Sequence, residues 1–352
     1  MSGGRFADEI VGDIPPDAMH ELRMDGESYV WDMSESAGRS GRSVPQQLVV
    51  QRLLSTYLET GGDIRFEARD VAIHDLETDQ PKVTYRDPDG TEHQLTGAFV
   101  AGCDGYHGVS RRSIPPDELT TYSFDHGIGW YTLLADAPAP KYPLLSISCH
   151  GFAAQFPRGP KASRFYLQYW LEDDPREWAD EYVWDQIRSR LNDPSLGGVP
   201  FTGREIVEMR SHVVEPMSYR RLFLVGDAAH IITPMGAKGM NLAIADAGVL
   251  ARAIIATERD GDQEALARYS PTCLRRTWDH QEFSRWYTEM MHDAGDDSRA
   301  GPFRRKLAQA RARRLMTSQT ARAMFDDLYV GTRMVPTDAM GRPVQATLDV
   351  PR

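Results

Sequence analysis

The stretch GDAAHIITPMGAKGMN, residues 226–241, decides how this chain folds. It follows Arg221-Leu-Phe-Leu-Val, an apolar run with the length of a buried strand. That strand delivers Asp227 to its carboxyl end, the side of an open α/β sheet where ligands sit. The run Pro-Met-Gly-Ala-Lys-Gly then opens a long helix from about Ala237. Its apolar positions are Met240, Ala243, Ile244, Ala247, Leu250, Ala251, Ile254 and Ile255, the i, i+3, i+4, i+7 series of one helix face. Gly236 and Gly239 allow close backbone approach, and the helix start offers free N–H groups and a positive dipole end. An anionic or electron-accepting group belongs there, with Asp227 suited to accept from a ribityl or ribose hydroxyl. On these residues alone a plain strand-turn-helix with Asp227 as N-cap stays open.

Upstream, Gln46 to Leu58 carries paired apolar positions at helical spacing and stops at Gly61-Gly62. Ile64, Phe66 and Ala68 alternate with charges, which predicts a half-buried strand. Lys82–Arg86 and Gln94–Ala101 flank an Asp89-Gly90 turn and predict a hairpin whose second arm ends in Asp104-Gly105. From about His126 to Tyr169 the pattern changes to short aromatic-rich strands, predicting a second, mainly antiparallel sheet. A helix from about Glu177 to Leu191 and a strand near Glu205 to Val214 follow. Beyond Asp262 the pattern is helical nearly to Gly331, with a polar tail after it.

With 352 residues, 41% hydrophobic and 26% charged, the composition is that of an ordinary globular protein of about two domains. A net charge of −11 argues against a dedicated nucleic-acid binder. The basic stretch from Arg304 to Arg314 has the spacing of a solvated helix face. No run approaches the roughly 18 apolar residues of a membrane helix, and the N-terminus has no apolar leader segment. Cys103, Cys149 and Cys273 are odd in number and far apart, which fits a reducing cytoplasm and excludes a disulfide scaffold. No Cys/His group has zinc-ligand spacing, so no metal is expected.

The wording of 226–241 resembles the second flavin fingerprint of the 4-hydroxybenzoate 3-monooxygenase family, the class A FAD-dependent aromatic hydroxylases. The resemblance extends to CDGYHGVSRRSIP (103–115), RSHVVEPM (210–217) and LYVG (328–331), and covers about His20 to Gly331. It implies FAD reduced by NADPH or NADH, capture of O2 as a flavin C4a-hydroperoxide, and hydroxylation of a small phenolic acid beside its OH. By the same resemblance Asp227 binds the ribityl chain, and Gly236, Lys238, Gly239, Met240 and Asn241 lie against the flavin pyrimidine edge. Gln46 also meets the cofactor, while His107 and Arg210 meet the nicotinamide pyrophosphate. Arg158 and Tyr166 match the carboxylate-binding pair, and Arg164 the flavin-side arginine. Phe156 replaces the family serine beside that clamp, and Pro234 matches the proline whose carbonyl faces the substrate. Tyr329 matches one tyrosine of a proton relay ending at His20. The other tyrosine falls at or beside Ser146, where this chain has none. Those two pocket departures leave the exact phenol open. Family members use the region matching Trp278–Trp286 in a homodimer contact.

The family begins with a strand and G-x-G-x-x-G, and this sequence contains no G-x-G-x-x-G. The fold expected is therefore α/β (α+β): an incomplete FAD/NAD(P)-binding Rossmann-like domain, an inserted mainly antiparallel substrate sheet and a helical C-terminus. The expected segments are 1–122 and 216–260 for the FAD domain, 123–215 for the substrate sheet and 261–352 for the helices. Weak or absent FAD binding is expected, and a non-catalytic binding fragment is the alternative to a hydroxylase. A flavin reductase is disfavoured because a carboxylate clamp has little use in one.

Overall fold

The computed structural model describes residues 19–24, 27–34, 44, 46–158, 161–292 and 301–330. Pro45, Gly331 and the tail from Thr332 lie outside them. The chain opens with β1 (Met19–Met24), β2 (Glu27–Asp32) and α1 (Gln46–Glu59), followed by β3 (Arg69–His74), β4 (Lys82–Arg86), β5 (Glu92–Thr96) and β6 (Val100–Gly102). Next come β7 (Thr120–Ala135), β8 (Leu144–Ser148), β9 (Gly151–Pro157), β10 (Ser163–Trp170), α2 (Asp180–Leu191) and β11 (Phe201–Glu215). The last third holds β12 (Ser218–Tyr219), β13 (Leu222–Leu224), β14 (His230–Ile231), α3 (Gly239–Asp260), α4 (Glu264–Ala267), α5 (Tyr269–His292), α6 (Gly301–Thr317) and α7 (Gln319–Val330).

An eight-stranded sheet runs β14-β11-β7-β10-β9-β8-β1-β2, antiparallel except where β1 lies parallel to β8. It therefore reaches beyond the 123–215 segment expected for it, taking β1 and β2 from before and β14 from after. Side chains alternate across a strand, and β10 shows the consequence. Phe165 and Leu167 face α2 in one core cluster, while Tyr166 packs into a second cluster with Phe283 and Tyr287 of α5. Burying a Leu or Phe contributes about 1.5–3 kcal/mol, whereas an exposed ion pair contributes about 0–1 kcal/mol. Leu133, Phe165, Leu167, Ile187 and Leu191, all fully buried, hold α2 in place, rather than the surface pairs of Arg188 with Glu181 and Asp185.

The parallel pair β13–β6 sits in a third cluster with Leu250 of α3 and Tyr269 and Cys273 of α5. The Tyr269 hydroxyl donates to the Leu224 carbonyl at 2.7 Å. β6 forms one edge of its three-stranded sheet.

Two local expectations need correction. Residues 64–68 are not a strand: Glu67 and Asp70 take positive φ, Phe66 is 63% exposed, and pairing begins only at Arg69. The second hairpin arm stops at Thr96, and β6 leaves it to pair with β13. In addition, α3 is long and apolar enough, on length and composition, to cross a membrane. Asp246, fully buried in its middle, instead ties α3 to α5 through Arg276.

Candidate active site

The carboxyl end of β13 leads into Gly226, whose φ of +61° is left-handed and whose missing Cβ would stand 2.7 Å from the Ala243 Cβ. Only glycine lets α3 pack this closely on the turn that presents Asp227. Asp227 itself is exposed. The turn is anchored from below by Asp246, which accepts from Gly226 N (3.3 Å), His230 Nε2 (2.7 Å) and Arg276 Nη2 (2.8 Å). Burial alone would raise the Asp246 pKa, but the His230 and Arg276 contacts outweigh it and hold the carboxyl below its usual range. Gly226→Ala is expected to destabilise the fold by about 2–4 kcal/mol, from left-handed strain plus overpacking. The checks are denaturant unfolding and flavin titration, with FAD affinity falling in parallel.

Past Asp227, Pro234, Met235 and Gly236 form a short turn and α3 starts at Gly239. Met240 and Asn241 are exposed at that start, and Asn241 Nδ2 donates back to the Ala237 carbonyl at 3.2 Å. The first N–H groups of a helix lack intrahelical acceptors, so an exposed anion-binding end follows the exposed Asp227 carboxylate along the chain. The glycine-requiring turn, the Asp227 acceptor and this helix end fit a flavin carrying a ribityl chain and a negative pyrimidine edge. Gln46 is exposed at the start of α1.

The aromatic wall comes from β9 and β10. Their register sets Phe156 opposite Arg164 and Ala154 opposite Tyr166. The Tyr166 ring lies 5.5 Å from Phe156 and 4.8 Å from Trp130 between centroids. Arg164 Nε is buried without a partner among the described residues. So is the hydroxyl of Thr132, which stands opposite Tyr166 on β7. Arg158, exposed where β9 ends, is pulled below the usual arginine range by desolvation, while Tyr166 opposes that through charge and a hydrogen bond. Unpaired polar groups on a half-buried aromatic face are the complement of a ligand with a flat ring and acceptor oxygens.

Ser146 is corrected. Its hydroxyl donates to the Arg190 carbonyl of α2 at 2.6 Å, on the opposite face of the sheet from Tyr166. Leu145, one residue earlier and opposite Ala154, packs in the cluster with Tyr166. A second tyrosine does come close to Tyr329, but from α5: Tyr287, ring centroids 6.2 Å apart. Burial, then the charge of Tyr329, pushes the Tyr287 pKa well above the ordinary phenol value.

Several expected residues are brought together. Tyr329 on α7 lies edge-on to buried His20 at 5.8 Å. Buried Lys238 donates to the Tyr329 carbonyl, and its Nζ stands 5.2 Å from the Tyr329 ring and 5.9 Å from that of Phe283. Pro234 is half-buried in the turn beside them. His107 and Arg210 come from separate elements joined by Tyr106, whose ring meets both His107 and His212 of β11 at 5.0 Å. Arg210 is ion-paired with Glu208. Sequence reasoning missed Thr132, Tyr287 and Asp246. For Asp246 a signal existed, one carboxylate inside an otherwise apolar helical series.

The sequence matches the FAD binding domain family over residues 5–284. It is 35% identical over 316 residues to the p-hydroxybenzoate hydroxylase of Acinetobacter baylyi, covering 88% of this chain and 77% of the relative. This chain is an FAD-dependent aromatic hydroxylase by family. Solved structures agree on the fold. The p-nitrophenol 4-monooxygenase of Pseudomonas putida superposes with a TM-score of 0.74 at 18% identity, over 94% of this chain and 86% of that one. The anhydrotetracycline hydroxylase of Streptomyces rimosus superposes with a TM-score of 0.73 at 19% identity, over 96% and 68%. Among the described residues no group of three His, Cys, Asp or Glu side chains is placed to hold a metal ion.

Proposed function

We propose that this flavoenzyme hydroxylates a phenolic acid, 4-hydroxybenzoate or a close analogue. NADPH or NADH would supply the electrons and O2 the oxygen, in the cytoplasm. The balance is phenolic acid, NAD(P)H, a proton and O2 giving the hydroxylated acid, NAD(P)+ and water. The observation that carries this reading is the unpartnered Arg164 Nε beside the Tyr166–Phe156–Trp130 wall, supported by the 35% identical p-hydroxybenzoate hydroxylase. Bound FAD supplies the reduction of O2 and delivery of one oxygen atom to the ring.

The chain's own residues do the rest. Arg158 receives the substrate carboxylate with Tyr166, since a guanidinium matches a carboxylate bidentately, and Arg164, which the resemblance puts on the flavin side, joins them because its Nε is buried without a partner among the described residues beside Tyr166. Phe156 and Leu145 make the wall more apolar than a serine or tyrosine would. Tyr329 takes up the phenol proton and passes it toward His20, with Pro234 closing the turn beside the ring. Asp227 accepts from the ribityl chain, Gln46 adds a contact, and the α3 start at Gly236–Asn241 balances negative charge on the flavin. His107 and Arg210 hold the nicotinamide pyrophosphate. We further propose a homodimer through the exposed Trp278 and its neighbour Tyr122, with no nucleic-acid or membrane partner. On α6, Arg304, Arg313 and Arg314 are exposed while Ala308, Ala312 and Leu315 are buried.

A second reading, binding without turnover, draws on exposed apolar side chains of α3, Ile244 and Ile255, each 51% exposed. FAD titration by flavin fluorescence, then a hydroxybenzoate screen for stimulated NAD(P)H oxidation, separates the two. Saturable FAD binding with product formation supports the hydroxylase; binding without oxidation of any phenolic acid supports the second reading. In the active protein Arg164→Met is expected to raise KM about 10- to 100-fold, the loss of a charge-assisted hydrogen bond. An unchanged KM contradicts the clamp.

A further inference from the structure

A cavity of about 160 Å³ lies at the end of the large sheet, where the β8–β9 turn and the end of β10 meet α2. Its wall includes Arg190, Gln168, Tyr169, Trp178 and Tyr182, with Asp173 also lining it. Arg190 is only 9% exposed. It donates to the carbonyls of Phe152 (3.2 Å) and Gln168 (2.7 Å) and to Gln186 Oε1 (3.0 Å), all neutral acceptors. Its Nε is buried with no partner among the described residues. Burial draws its pKa down to about 10, and Tyr182 opposes. The cation is charged at neutral pH and its hydrogen-bond acceptors are all neutral, an arrangement that favours an anion beside it. Gly151 keeps this floor open, because at its φ of +105° an added Cβ would stand 3.1 Å from both Arg190 Nη1 and Gln168 Oε1.

We infer that this cavity is a second ligand site, taking a small monocyclic aromatic carboxylate with its carboxylate toward Arg190 and its ring against the Trp178–Tyr182 pair. Size and chemistry select that class. An apolar cavity of about 150 Å³ accepts one benzene ring, and this more open and more polar cavity offers similar room. Exposed Asp173 disfavours multiply charged anions and offers an acceptor to a ring hydroxyl. The site is distinct from the proposed hydroxylation site, because Arg190 reaches the sheet from α2 whereas Tyr166 and Tyr329 pack in the core on the α5–α7 side.

The test is a fluorine NMR titration of the full chain with 4-fluorobenzoate, with circular dichroism confirming each variant's fold. In an Arg158→Met, Arg164→Met background, which removes both arginines of the proposed substrate clamp, a saturable site is expected to remain. Adding Arg190→Gln is expected to weaken that site at least about tenfold, through loss of a charge-assisted contact. Adding Tyr182→Ala, at a side chain already 47% exposed, is expected to weaken it about three- to tenfold by removing one aromatic wall. Should Arg190→Gln fail to fold, the Tyr182→Ala result decides. The inference is overturned if no saturable site remains in the Arg158→Met, Arg164→Met protein, or if that site is indifferent to Tyr182→Ala or to a folded Arg190→Gln variant. It is equally overturned if chloride displaces the probe as well as benzoate does, which would make the site one for inorganic anions.

Discussion

Asp246→Ala is expected to cost about 3–5 kcal/mol of folding free energy, the range for removing one partner of a buried ion pair. Three donors converge on this carboxylate: the Gly226 backbone, His230 and Arg276. Asp246 and His230 are almost entirely out of water and Arg276 is 23% exposed. Alanine would leave a cation and an imidazole facing an apolar methyl. Such groups are costly to desolvate unpaired. The design of the control follows from the same physics: Asp246→Leu with Arg276→Met removes both charges and should lose less than Asp246→Ala alone. Urea unfolding of the three proteins checks this, and a loss under about 1 kcal/mol for Asp246→Ala contradicts the network's importance. Because the Gly226 N–H is one of the three donors, the same substitution should loosen the turn that presents Asp227. FAD affinity is expected to fall by about tenfold or more, the equivalent of one charge-assisted hydrogen bond.

The strand-turn-helix geometry around Asp227 was legible because it is local. Strand, Gly-Asp turn, Pro-Met-Gly turn and helix start follow one another within residues 221–241, so composition and spacing carry the geometry. The substrate half depends on register. Along β8 a shift of one residue exchanges the two faces of the sheet, and that shift separates Ser146, which bonds to α2, from Leu145, which packs beside Tyr166. Nothing in LLSISCHGF distinguishes them, since both neighbours of Ser146 are apolar. Tyr287 and Thr132 were hidden for another reason. They reach the site from elements 42 residues and about 34 residues away in the chain from Tyr329 and Tyr166 respectively, through packing that periodicity does not encode. The strand expected at 64–68 failed on backbone conformation: the positive φ of Glu67 and Asp70 interrupts the alternation that Ile64, Phe66 and Ala68 display.

Acid is expected to unfold this protein through His292. Its Nδ1 donates to the Thr288 carbonyl at 2.9 Å, and its Nε2 accepts from Trp130 Nε1 at 2.8 Å. That acceptor role requires neutral imidazole, because a protonated ring has two donors and no lone pair. Burial pulls the His292 pKa down to about 3. In the unfolded chain a histidine protonates near pH 6.5. Between those values the unfolded state binds the extra proton, so stability is complete above about pH 6.5 and falls by about 1.4 kcal/mol per pH unit toward pH 3. His212 and His280, each lowered to about 4 chiefly by burial, act in the same direction. Urea midpoints at pH 7.5 and pH 5, followed by tryptophan fluorescence, should therefore separate clearly. In His292→Gln the midpoint at pH 7.5 should drop while its dependence on pH weakens, because glutamine does not titrate. A variant with the parent's full pH dependence would assign the acid sensitivity to other groups.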